Sequence, residues 1–130
     1  MIAEKDKDYF LKKVDSYTFV TYKGVAQQPE IPTLLEGYDA MLFPTHYPTE
    51  GIPGSVLDAY ISGIPVVATN WVYASELIDN GKTGIIVPFD NCTDDFIKAC
   101  EHLLLHENHS PECAPAPQPF SQWPAPVRWP

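Results

Sequence analysis

Three short apolar runs, each left through a loop and followed by a helix-like pattern, constrain this 130-residue chain more than any other feature. They are Ala40-Met41-Leu42-Phe43, Pro65-Val66-Val67-Ala68-Thr69 and Gly84-Ile85-Ile86-Val87-Pro88. Runs this short and continuously apolar suit strands buried on both faces, the condition found in parallel sheets covered by helices. The order predicts an α/β fold with a parallel sheet covered by helices. Residues 17–22 (YTFVTY), rich in β-branched and aromatic side chains, predict a further strand ending near Gly24.

The intervening segments read as helices. Residues 5–14 form a polar helix, and residues 31–38 a short one opened by proline. Residues 55–61 follow the first apolar run, residues 74–79 follow the second and stop at Asn80-Gly81, and residues 93–106 follow the third. In the last helix Phe96, Ala99, Cys100, Leu103 and Leu104 recur at helical spacing and predict one core-facing stripe.

From residue 107 the pattern breaks. Half of the chain's 14 prolines lie between here and Pro130, with Trp123 and Trp129 but no periodicity, which excludes helix and sheet. The expected organisation is one partial domain over residues 1–106 and a disordered proline-rich tail over residues 107–130. A proline-rich recognition segment and out-of-frame translation after a break in the gene are the other readings of the tail.

Charge narrows the partners. With 17 acidic against 8 basic residues and a net charge of −9, the chain is not expected to bind nucleic acid, whose phosphates demand clustered Lys and Arg. An anionic small ligand remains compatible, because backbone N–H groups at a helix N-terminus bind phosphate without net positive charge. Cys92, Cys100 and Cys113 are odd in number and lack zinc-like spacing, and His102, His106 and His109 complete no ligand pattern. No metal or cofactor is therefore expected. The cysteines suit a reducing compartment, no apolar run reaches bilayer-spanning length, and the charged start is not a signal peptide, so the expected location is cytoplasmic.

In a parallel sheet the ligand crevice lies beyond the carboxyl ends of the strands. The loop leaving the first apolar run carries Glu50, Gly51, Ile52, Pro53 and Gly54 into a helix at Ser55, with Asp58 further along it. Its glycines allow close backbone approach, and the helix N-terminus favours an anion. A carboxylate beside an anion site must face a neutral part of the ligand, and sugar hydroxyls meet that need at Glu50. Asp58 has two readings open: acceptor of ribose hydroxyls, or partner of Ser55 in a capping box with the serine as N-cap.

Residues 44–88 resemble the C-terminal domain of GT-B glycosyltransferases of the large retaining family 4. The resemblance is carried by Pro44-Thr45, Glu50, Asp58-Ala59, Gly63, the Pro65-Val66-Val67-Ala68-Thr69 run, Glu76-Leu77-Ile78, and Gly81 with Gly84 leading to Pro88. Weaker likeness extends it over roughly residues 5–106. It implies a nucleotide-sugar donor, with Glu50 on the sugar, the amides around Gly51 to Ser55 on the diphosphate, and Asp58 on the ribose. The family pattern has Glu where Asp58 stands, one methylene longer, so either the helix sits closer to the ribose or that contact is weakened or water-mediated. Glu76 matches a family position, with a structural role at its helix start as the alternative.

The resemblance also implies that this chain is a fragment, a partial Rossmann-like, doubly wound parallel sheet from the C-terminal part of a GT-B domain. Further strand and helix units, the Arg and Lys that neutralise the departing diphosphate, and an N-terminal domain binding a glycan or lipid acceptor belong to the family pattern and find no match here. Lys23 and Lys82 are the loop cations, with solvated surface charge as the plainer reading of both. The functions in contention are retaining hexose transfer in polysaccharide biosynthesis, a non-catalytic nucleotide or nucleotide-sugar binding module, and an inert gene fragment.

Overall fold

The computed structural model describes residues 4–105, and the 107–130 tail falls outside them. The chain divides into two compact units, residues 1–30 and residues 31–130. The first holds helix α1 (Glu4–Asp15) and a 3-10 turn, Gln28–Glu30. The expected strand over residues 17–22 does not form: the segment is turn and coil, and Phe19 is 83% exposed. β-Propensity describes fitness for a pleated, half-buried surface, and a lone segment with no ladder partner gains nothing from extension. The aromatic side chains pack locally instead, Phe10 edge-on to Tyr22 at 5.7 Å and Tyr17 against Phe19 at 5.5 Å.

The second unit contains α2 (Ile31–Leu35), β1 (Met41–Phe43), α3 (Gly54–Ile61), β2 (Val66–Thr69), α4 (Ala74–Leu77), β3 (Gly84–Val87) and α5 (Thr93–Leu105). The strands form one parallel sheet in the order β1-β2-β3. Met41 and Phe43 pair with Val66 and Ala68, which in turn face Gly84 and Ile86. This is the α/β architecture of a partial doubly wound sheet.

Side-chain alternation divides the core into two layers. On one face Val66 and Ala68 pack with Val56 and Ala59 of α3, Ile64, Trp71, Ala74 and Ile78. On the other, Val67 and Val87 pack with Cys92 and Ala99, with Ile85, Phe96 and Leu103 beside them. Every residue of β2 is buried, as continuous apolarity predicts. β1 departs from that expectation. Leu42 shares a row with Val67 and Ile85, yet it is 51% exposed. β1 is an edge strand, and α5 packs over β2 and β3.

The stripe on α5 is narrower than predicted. Phe96, Ala99 and Leu103 turn inward, whereas Leu104 is 61% exposed. Eight residues beyond Phe96, it stands about 80° around the helix from that side chain. Cys100 is partly buried, and desolvation pushes its thiol above the ordinary 9.0.

Two local devices fix the frame. α3 ends in a Schellman motif: Ile64 N–H donates to Ala59 O at 3.0 Å and Gly63 N–H to Tyr60 O at 3.1 Å, with Gly63 at φ 73°. Gly84 lets β3 approach β2, because a Cβ at that position would overlap the Val66 carbonyl oxygen.

Candidate functional site

The carboxyl ends of all three strands open onto one edge of the sheet, and the loops leaving them are tied to each other. After β1, Tyr47 N–H donates to Thr45 Oγ1 at 3.1 Å, and Glu50 N–H donates to Tyr47 O at 3.2 Å, closing a turn on Pro48 and Thr49. The same arm is held from β2: Thr69 Oγ1 donates to Thr45 O at 2.7 Å, and Val72 N–H donates to Pro48 O at 3.0 Å. From beyond β3, Phe89 meets His46 edge-on at 6.3 Å. Three strand exits thus form one laced surface.

The arm delivers Glu50 half-buried at the start of the turn into α3. Among the described residues its carboxylate has neither a hydrogen bond nor an ion pair. Gly51 and Ile52 follow in the open, Pro53 is buried, Gly54 is exposed and Ser55 is half-buried. No described residue accepts a hydrogen bond from the amides of Gly51, Ile52, Gly54 or Ser55. Such donors at a helix N-terminus, together with the helix dipole, attract an anion.

The glycines of this turn have no internal reason to be glycine. Neither Gly51 nor Gly54 has positive φ, and a Cβ at either would meet nothing within 4 Å. Packing demands glycine at Gly84, where a Cβ would overlap the Val66 carbonyl oxygen; neither packing nor backbone conformation demands it at Gly51 or Gly54.

The capping-box reading of Ser55 is corrected. α3 begins one residue earlier than expected, its N-cap is Pro53 at φ −67° and ψ 122°, and no side chain caps it. Val56 N–H donates to Pro53 O at 3.1 Å, so Ser55 is already inside the first turn. Proline suits the place because it has no N–H to leave unsatisfied and its φ is preset. Asp58 therefore is not the acid of a capping box. It lies at 9% exposure between Val56 and Ala59, both fully buried, and its backbone oxygen accepts from Ser62 Oγ at 2.9 Å. Glu50 is half-buried on the loop leaving the carboxyl end of β1, and Asp58 lies largely within the protein.

Lys82 is removed from the site by topology. It precedes β3, hence lies at the amino edge of the parallel sheet, and it pairs with Asp79 at 3.0 Å. Glu76 is exposed on α4 and lines an open hollow of about 440 Å³ with Ser75, Asp79, Asn80 and Thr83. Among the described residues no group of His, Cys, Asp and Glu is arranged to hold a metal ion, and no helix is long and apolar enough to cross a membrane.

Sequence reasoning missed Thr69 as a tie to the loop, as well as the His46–Phe89 contact. The only signal for Thr69 was a hydroxyl ending an otherwise apolar buried run. Trp71, 1% exposed and edge-on to Phe43 at 5.6 Å, keeps its indole N–H without a partner among the described residues. We have no physical account of that orphaned donor.

Fold and site define a parallel α/β domain fragment whose strand-to-helix loop opens at the carboxyl edge of the sheet. The chain belongs to the glycosyl transferases group 1 family, whose profile matches residues 3–106. It is 31% identical over 90 residues to an uncharacterized 41.2 kDa protein in the cps region of Klebsiella pneumoniae, a match covering 69% of this chain and 24% of that protein. It is 36% identical over 69 residues to the putative colanic acid biosynthesis glycosyltransferase WcaL of Salmonella typhimurium, covering 50% of this chain and 17% of the relative. The chain thus spans about a quarter or less of the length of these relatives. No solved structure matches it.

Proposed function

We propose that this chain is the donor-binding part of a GT-B glycosyltransferase that moves a hexose from a nucleotide-sugar donor, with retention, to a glycan or lipid acceptor in polysaccharide biosynthesis. The carrying observation is the Glu50 carboxylate, without a hydrogen bond or ion pair among the described residues, immediately before amides that no described residue occupies, at the carboxyl edge of a parallel sheet. The two relatives, one in a cps region and one for colanic acid, support a polysaccharide setting.

The chemistry divides along the loop. The amides of Gly51, Ile52, Gly54 and Ser55 hold the diphosphate, where negative charge grows as the glycosidic bond to it breaks. Pro53 has no N–H and instead starts the helix that aims them. Glu50 accepts hydrogen bonds from the hexose hydroxyls, which orients the sugar without placing a carboxylate on the phosphates. Asp58 serves the ribose through water, in keeping with its burial and its short side chain. No metal enters this scheme. The donor-binding unit comprises residues 1–106, with residues 107–130 appended, and acceptor binding belongs to a domain beyond this chain. The chain by itself binds donor but does not transfer.

Glu50→Gln tests the division of labour. Removing the charge keeps the size of the side chain, and hydrogen bonds to charged groups contribute about 1.5–3 kcal/mol. Calorimetric titration should show sugar-nucleotide affinity falling roughly tenfold or more, with free-nucleotide affinity changed by less than about threefold. Equal weakening of both would assign Glu50 to loop support.

A further inference from the structure

We propose that Thr69 is a positioning residue for the donor site, its hydroxyl holding the β1 exit arm so that Glu50 meets the sugar. This inference rests on the donor-binding reading of Glu50.

Thr69 ends β2, is 0% exposed, and is the last residue of an otherwise aliphatic strand. A valine would fill nearly the same volume, so packing alone does not demand a hydroxyl there. The hydroxyl instead donates to Thr45 O at 2.7 Å. Thr45 is the second residue beyond β1, and its own Oγ1 accepts the Tyr47 N–H at 3.1 Å. Tyr47 O then receives the Glu50 N–H at 3.2 Å. A continuous series of hydrogen bonds therefore runs from the buried end of β2 to the backbone of Glu50.

A second tie lies alongside: Val72 N–H donates to Pro48 O at 3.0 Å, three residues beyond Thr69 on one side and two before Glu50 on the other. Thr69 and Val72 grip the arm at both ends of the Thr45 to Pro48 span. The buried hydroxyl is the anchored member, because a buried donor left without its acceptor is costly and disfavours every arrangement in which the arm lifts away. Thr69 touches no ligand in this account and acts only through the arm.

The test compares Thr69→Val, which removes the hydroxyl, with Thr69→Ser, which keeps it. Both are made in the full chain. Amide hydrogen exchange at Val72 reads the arm without any ligand. It should accelerate more than tenfold in T69V and return to within about threefold of wild type in T69S. Titration with a UDP-hexose and with UDP reads the consequence: T69V should lose donor affinity at least fivefold while UDP affinity stays within twofold, and T69S should restore it. Unchanged Val72 exchange in T69V overturns the brace. Accelerated exchange with undiminished donor affinity overturns its role in presenting Glu50. If the wild-type chain binds UDP but gains nothing from the hexose, the donor reading of Glu50 fails, and with it this use of Thr69, whatever the exchange shows.

Discussion

At the scale of single residues, three glycines in the same small unit answer to different forces. Gly84 is required by the fold, since any Cβ there would press on the Val66 carbonyl. Gly51 and Gly54 have ordinary φ and open space around them. Gly84→Ala should destabilise by about 1–3 kcal/mol, as overpacking against backbone does. Gly51→Ala and Gly54→Ala should change stability by less than about 0.5 kcal/mol, as surface substitutions do, while weakening nucleotide binding. Thermal melts and titrations on the three variants check this pairing. The reverse pattern would place the constraint at Gly51 and Gly54 inside the protein.

Asp58 belongs to this scale as well. Its sequence position left a capping role and a ligand role open, and Pro53 at the N-cap removes the first. What the sequence could not convey was burial: Asp58 lies among the buried residues of α3 with Val56 and Ala59, which only the packing of α3 in the fold determines. Asp58→Asn retains shape and most hydrogen-bonding capacity. We expect its melting temperature to stay within a few degrees of wild type and nucleotide affinity to fall roughly threefold to tenfold, the range of one weakened polar contact. A large drop in melting temperature with unchanged affinity would make Asp58 a structural carboxylate.

At the scale of elements, the strands with neighbours were legible and those without were not. β2 and β3 emerged where their apolar runs predicted, because each has a paired strand and a helix layer to bury them. Residues 17–22 have the same composition of strand formers, yet no ladder partner, and they remain coil. β1 illustrates the intermediate case: it pairs on one side only, and its Leu42 stays half exposed although the run reads as buried. Propensity reports what a segment can do, while pairing decides whether it does. The loops show the same division. The glycine turn was readable from residue chemistry and the helix start only to within one residue, but the Thr69 to Thr45 bond joins positions 24 residues apart and depends on the sheet register.

At the scale of the whole molecule, the family match over residues 3–106 and the small share of its relatives that the chain spans have to be read together. The loop leaving β1 is held within residues 31–105 by the Thr69–Thr45 and Val72–Pro48 hydrogen bonds and by the His46–Phe89 ring contact. Lys82 lies at the amino edge of the sheet and pairs with Asp79. Donor binding without turnover by this chain is part of the proposed reading, and it is open to direct test. The most direct test is a titration of the full chain with a UDP- or GDP-hexose, following the backbone amide resonances of Gly51, Ile52, Gly54 and Ser55. The account predicts saturable shifts confined to these amides and their neighbours along the laced loops, larger for the sugar nucleotide than for the free nucleotide. Unmoved resonances at millimolar donor, in a chain shown to be folded, would contradict it.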